Sequence, residues 1–257
     1  MAARTRTLAA SGGAVLMVLM LAGCGSTDVS EAPTEHKSFA LSGKTLTIHA
    51  RASSLELVPA DVPKVEVTRQ VDGWVMFGDG PEPQWEMRDD TLSLRVSCDA
   101  LISDCAAAHR VKVPRGVAVV VDGDNGKVTA TGFSTPLTLR ADNGTLSVRN
   151  STGPLDLTSD NGDILTEGVS AASVSARSDN GRIRLRFATA PDRVETVSDN
   201  GSTTIELPPG SVKYAVDAVA RNGRTSVDVP RAEGGEASGH VVKARSDNGQ
   251  VTVRSAN

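Results

Sequence analysis

Residues 155–166 read Leu155-Asp156-Leu157-Thr158-Ser159-Asp160-Asn161-Gly162-Asp163-Ile164-Leu165-Thr166, and this stretch decides the fold. Leu155, Leu157 and Ser159 alternate with Asp156, Thr158 and Asp160, and Ile164 and Thr166 alternate with Leu165. Period-two alternation places each apolar set on one face of a β-strand, and Asn161-Gly162 breaks the two strands with a sharp turn. Asn and Gly tolerate the left-handed backbone, which is the expected reason for finding them there.

The same unit recurs. Asn-Gly stands at Asn125, Asn143, Asn161, Asn180, Asn200, Asn222 and Asn248, with successive spacings of 18, 18, 19, 20, 22 and 26. An Asp precedes each turn except at Arg221. Five positions before that acidic site stand Val119, Leu137, Leu155, Val174, Val194, Val216 and Val242, all aliphatic. The position just before it is always small: Gly123, Ala141, Ser159, Ser178, Ser198, Ala220 and Ser246. After each turn a second aliphatic column follows, and Gly132, Gly153-Pro154 and Gly168 mark a second bend. A fixed period with matched columns is the signature of a repeat array.

Two architectures fit. Asn-Gly closes hairpins well, so an antiparallel meander is one. The other is a parallel β-helix, in which each unit is one coil and like residues stack. A meander asks for no likeness between repeats, whereas stacking rewards it. The expectation is an all-β parallel β-solenoid of about seven Asn-Gly coils over residues 114–257, with an N-terminal β segment over 39–113 that caps it. Strands at Leu46-Thr47-Ile48, Leu55-Glu56-Leu57, Val65-Glu66-Val67 and Leu92–Val96 make up that segment.

Upstream lies an address. Arg4 and Arg6 precede the apolar run Ala14–Leu21, too short for a transmembrane helix, which needs roughly 20 apolar residues. The run ends in Leu21-Ala22-Gly23-Cys24, the pattern of a bacterial lipoprotein signal peptide. Residues 1–23 are therefore expected to be removed, Cys24 to carry lipid, and 24–38 to form a polar tether. Acyl chains contribute about 0.8 kcal/mol per buried methylene, enough together to hold the chain on the outer side of the cytoplasmic membrane. In an exported chain the remaining cysteines, Cys98 and Cys105, are read as a disulfide, with a metal pair or a catalytic thiol as the rival readings.

The run Val111-Lys112-Val113-Pro114-Arg115-Gly116-Val117, then Asp124-Asn125-Gly126-Lys127-Val128 and Ser159-Asp160-Asn161-Gly162-Asp163-Ile164, resembles a family of bacterial adhesin-like β-strand-repeat proteins with a domain of unknown function. The resemblance covers roughly residues 39–257. It implies a β-solenoid, often membrane-attached, and no agreed activity or catalytic residues.

Composition narrows the function further. A formal net charge of -4 gives no reason to seek nucleic acid. Only 3% of residues are aromatic, so the repeats offer little sugar-stacking platform. The aspartates Asp124, Asp142, Asp160, Asp179, Asp199 and Asp247 form the only acidic constellation, and their place at every turn suits a structural repeat better than a single active site. No metal or cofactor motif is present, and the nine-residue calcium-binding repeat is absent. The expected role is non-enzymatic binding at the cell surface, to an envelope polymer or surface protein. Arg182, Arg184 and Arg186, alternating on an outward face, are the candidate contact residues, and a solvated face is the competing reading. An envelope-stress or signalling accessory is the alternative, and a polysaccharide-acting β-helix enzyme a more distant one.

Overall fold

The computed structural model describes residues 29–78, 80–98, 100–233 and 239–256. The expected signal peptide, Cys24 and the loop residues Gly234-Gly235-Glu236 lie outside the described residues. Among those described, no helix is long and apolar enough to cross a membrane.

Each Asn-Gly unit contributes one strand to each of two sheets. The units are β8/β9 (Ala118–Asn125, Val128–Thr131), β10/β11 (Leu137–Asn143, Leu146–Arg149), β12/β13 (Leu155–Asn161, Ile164–Glu167), β14/β15 (Ser173–Asn180, Ile183–Arg186), β16/β17 (Arg193–Asn200, Thr203–Leu207), β18/β19 (Ala215–Asn222, Thr225–Asp228) and β20/β21 (Val241–Asn248, Val251–Ser255). Units pair with units in parallel, so Asn-Gly turns a corner between sheets and closes no hairpin. Register is column on column. Val119 lies beside Leu137, Leu137 beside Leu155, Leu155 beside Val174 and Val174 beside Val194. These residues are at most 3% exposed, and the interior they share is one continuous apolar core. Burying each such side chain is worth about 1.5–3 kcal/mol over leaving it in water, and this term holds coil to coil.

Chain order and spatial order part company at the C-terminal end. β20 pairs with β16 on one side and β18 on the other, and β21 lies between β17 and β19. The last unit is thus slotted between the fifth and the sixth. Stepping past a coil and back lengthens the connections, which accounts for the spacings of 22 and 26. The unit β18/β19 ends the stack, and its inward Val216, Ala218 and Val227 are only partly buried.

The parallel ladder also runs past residue 114 toward the N-terminus. β2 (Thr45–Arg51) pairs in parallel with β8, and β3 (Ser54–Ala60) with β9, with Leu46 beside Val119 and Ile48 beside Val121. Beyond them β6 (Thr91–Ser97) and β7 (Ala100–Pro114) add a further parallel pair. Pairing then reverses. β4 (Val65–Gly78) is antiparallel to β7, and β5 (Glu82–Arg88) antiparallel to β6. Cys98 and Cys105, between β6 and β7 and within β7, are joined by a disulfide.

Residues 34–38, expected to lie in the tether, form part of a strand. β1 (Thr34–Phe39) adds antiparallel to β4, from Thr34 beside Gln70 to Phe39 beside Val65. Residues 34–38 are all exposed and show no alternation, so backbone pairing and the ion pair of Glu35 with buried Arg69 hold them.

The two bends of each coil work on different physics. A left-handed backbone is found at the second bend, at Gly132 (φ 80), Asn150 (φ 47) and Gly168 (φ 61). Of the Asn-Gly residues only Gly126 has positive φ. The glycines from Gly144 onward are needed for another reason. A Cβ on Gly162 would fall under 3.0 Å from the Gly144 carbonyl, and one on Gly181 equally close to that of Gly162. Neighbouring coils approach backbone to backbone at this corner, and only glycine leaves the space. Inward serines complete it. Ser178 Oγ donates to the Gly162 carbonyl at 3.1 Å, and Ser246 Oγ to that of Gly201 at 2.9 Å. Asn side chains stack outside, each amide donating to the next: Asn161 to Asn143 at 3.1 Å, Asn180 to Asn161 at 3.0 Å and Asn200 to Asn180 at 3.0 Å.

Candidate binding face

Outward side chains of stacked strands fall into rows about 4.8 Å apart along the stack, the strand spacing of a sheet. On the sheet containing β9 to β21, one row runs Thr68, Arg110, Glu56, Thr129, Ser147, Leu165, Arg184, Thr204. At its N-terminal end the row crosses the floor of a concave groove of about 600 Å³, bounded by Thr34, Gln70, Arg110, Lys127 and Arg149. A shallower hollow of about 190 Å³, lined by Arg149, Leu165, Glu167, Arg184 and Arg186, lies next along the face and shares Arg149 with the groove. The result is a polar track along one side of the stack in which Arg110 pairs with Glu56 at 3.6 Å and Arg149 with Glu167 at 3.5 Å, while Lys127 and Arg184 make no ion pair within 4 Å among the described residues.

The next row alternates in charge. Arg149 reaches Glu167 at 3.5 Å, Arg186 reaches Glu206 at 2.6 Å, and Arg254 pairs with the other oxygen of Glu206. Asp228 stands beside Arg254 in register. The alternation holds only in the spatial order Glu206, Arg254, Asp228; in chain order two acids would be adjacent. Hydrogen bonds from Arg254 and Arg186 hold the Glu206 carboxyl below its ordinary pKa against a smaller opposing effect of burial.

The three expected contact arginines therefore differ. All are exposed. Arg182 is taken up by Asp163 at 2.7 Å, and Arg186 by Glu206. Burial raises the Asp163 pKa, but hydrogen bonds and charge from Arg182 carry it below the ordinary carboxylate value. Arg184 makes no ion pair within 4 Å among the described residues, although its charge also helps to lower the Asp163 pKa, and it opens onto the hollow. Lys127 and Arg110 escaped the sequence reading because nothing marks them until the N-terminal strands are laid against the repeats.

The opposite sheet presents the turn aspartates as a single column from Asp124 to Asp247. Arginines bracket it: Arg51 meets Asp124 at 3.5 Å at one end, and Arg221 meets Asp247 at 3.2 Å at the other. Within it Arg177 bridges Asp179 (3.1 Å) and Asp199 (3.4 Å). Arg221, the one non-acidic residue at this position, thus ends a like-charged row. Among the described residues no group of three or more His, Cys, Asp or Glu could hold a metal ion.

These features define a class, a parallel β-strand-repeat domain displaying repeated polar rows. The chain belongs to the Toastrack DUF4097 family, whose model matches residues 111–257. No curated protein matches it. Among solved structures it is similar to a candidate adhesin from Bacteroides fragilis, at 15% identity and a TM-score of 0.52 over 87% of this chain and 97% of that one. A candidate adhesin from Parabacteroides distasonis is similar at 12% identity and a TM-score of 0.49, over 86% and 98%.

Proposed function

We propose that this protein is an exported, lipid-anchored surface protein that binds an anionic envelope polymer along the track formed by Arg110, Lys127, Arg149 and Arg184. The observation that carries the reading is the groove and adjoining hollow sharing Arg149, with Arg184, which makes no ion pair within 4 Å among the described residues, opening onto the latter. Cations spread over several strands of one rigid face suit an extended ligand with repeated negative charge. The lipobox ending at Cys24 supplies the anchor, and the likeness to a candidate adhesin agrees with a role in contact rather than catalysis. The stack of parallel coils serves as scaffold, and the N-terminal layer β1, β4 and β5 as its cap.

The test is co-sedimentation of the protein with purified bacterial cell walls. Saturable binding that weakens with salt, and is lost on changing Lys127 and Arg184 together to Ser, supports the reading. Arg182→Ser should leave binding intact, because Asp163 already takes up that charge. Binding indifferent to Lys127 and Arg184, or none, contradicts it. The anchor has its own readout: labelled palmitate should enter the chain and be lost in Cys24→Ser.

A further inference from the structure

The C-terminal end of the stack is an open edge. β18 and β19 terminate their sheets among the described residues, so β18 has a neighbour on one side only. The Ala215 N–H donates inward to the His240 carbonyl. Backbone direction alternates along a strand, so the groups of Val216, Ala218 and Ala220 face outward from the stack. Among the described residues the Ala220 N–H alone of these groups has a partner there, the Thr225 hydroxyl at 3.2 Å. The start of the edge is already covered: Pro230 and Ala232 bond to Tyr214 on the side away from His240. From Val216 onward no strand pairs with it among the described residues, and Val219, beside it on the outer face, is 42% exposed.

The sequence of this edge is complementary to itself. Asp217, Val219 and Arg221 share the outward face. Turn a second β18 antiparallel about Val219, and Val219 meets Val219 while each Asp217 meets the other copy's Arg221. The backbone agrees with the same register. Ala218 and Ala220, both facing the open edge, fall opposite each other: the Ala218 N–H donates to the Ala220 carbonyl of the other copy, and the Ala220 N–H exchanges the Thr225 hydroxyl for the other copy's Ala218 carbonyl. Val219 becomes the centre of a non-hydrogen-bonded pair, where side chains come closest. The same two-fold axis, normal to the sheets, sets β19 against its own copy and covers the half-buried Val216, Ala218 and Val227. We infer that this edge is a self-recognition surface, at which a second copy of the chain joins end to end about a two-fold axis at Val219. Asp217 and Arg221 keep their partners Arg245 and Asp247 within the chain, so each charge lies between two opposites. This inference does not depend on the polymer-binding reading.

Sedimentation equilibrium of the full chain in non-ionic detergent tests it, together with oxidative cross-linking. The wild type is expected to dimerise. Val219→Lys should abolish the dimer, and Asp217→Arg, which sets like charges opposite at both symmetric pairs, should weaken it by about tenfold or more. Val219→Cys should yield a disulfide-linked dimer beyond the wild-type background, while Val197→Cys, in the same outward row inside the stack, should not. A monomeric wild type with no Val219→Cys cross-link overturns the inference. So does a dimer that survives Val219→Lys.

Discussion

The middle of the stack and its N-terminal end enclose the same kind of interior but are held by different means. Between β8 and β17 each coil repeats its neighbour. Aliphatic columns fill the inside, Ser hydroxyls cap Gly carbonyls at the corner, and Asn amides run outside it. At the N-terminal end the repeat gives out. Ala52 (φ 53) and Ser53 take the corner where later coils have Asn and Gly, and the Ser53 N–H still donates to the Asn125 carbonyl at 3.2 Å. One layer further out the interior becomes polar. Arg69, 6% exposed, lies over the Trp85 ring at 3.9 Å and pairs with Glu35, and His109 is 2% exposed with no hydrogen-bond partner for either ring nitrogen. Where a column repeats, each residue is constrained by two copies of itself. Where it ends, single interactions with a pH or sequence dependence of their own take over.

The comparison can be broken hardest in the middle. Gly162→Ala puts a methyl group into backbone contact with Gly144, and neither coil can yield without disturbing the next. A loss of roughly 3–4 kcal/mol is expected, seen as a lower urea midpoint. Asymmetry between the regions is sharpened by acid. Burial, and secondarily the Arg69 charge, lower the His109 pKa from 6.5 to about 4. The unfolded chain therefore takes up a proton that the folded chain refuses over that window. Stability is unaffected by this group above pH 6.5 and falls as pH drops from 6.5 toward 4, by about 3 kcal/mol at 1.36 kcal/mol per pH unit. Urea titrations at several pH values should show that slope, and His109→Leu should flatten it.

Smaller effects separate two asparagines. Asn161 links Asn143 and Asn180, so Asn161→Ala removes two amide bonds and should cost about 1–2 kcal/mol. Asn150 sits in the left-handed region at the other bend, where glycine is at ease. Asn150→Gly should change stability by less than about 0.5 kcal/mol, in thermal melts run side by side.

The sequence made the stacking legible because the columns are chemical: Leu137, Leu155 and Val174 say which face is inside and which residues lie above one another. It misled on the turn. Asn-Gly suggested a left-handed backbone, whereas Gly162 is required by a neighbouring coil that no local pattern reveals. It was silent on strand order, because 215–228 and 241–255 carry the same pattern and either could come last. The N-terminal coils were hidden for a related reason, since Ala52-Ser53 carries no turn signature. Arg182, Arg184 and Arg186 were correctly read as outward, but their partners Asp163 and Glu206 belong to adjacent coils, and only stacking shows which arginine is left over.

Strand order is the central claim, because the charge rows and the open edge both follow from it. Paired cysteines test it most directly. Thr204 and Thr252 are neighbours in register, while Ser226 lies one strand further on. Cα atoms of adjacent strands are about 4.8 Å apart and those two strands apart about 9.6 Å, and a disulfide cannot span more than about 7 Å. Under mild oxidation Thr204→Cys with Thr252→Cys should cross-link within the chain, and Thr204→Cys with Ser226→Cys should not, as read by peptide mass mapping. A bond between 204 and 226 with none between 204 and 252 would put the coils in simple chain order and contradict the account.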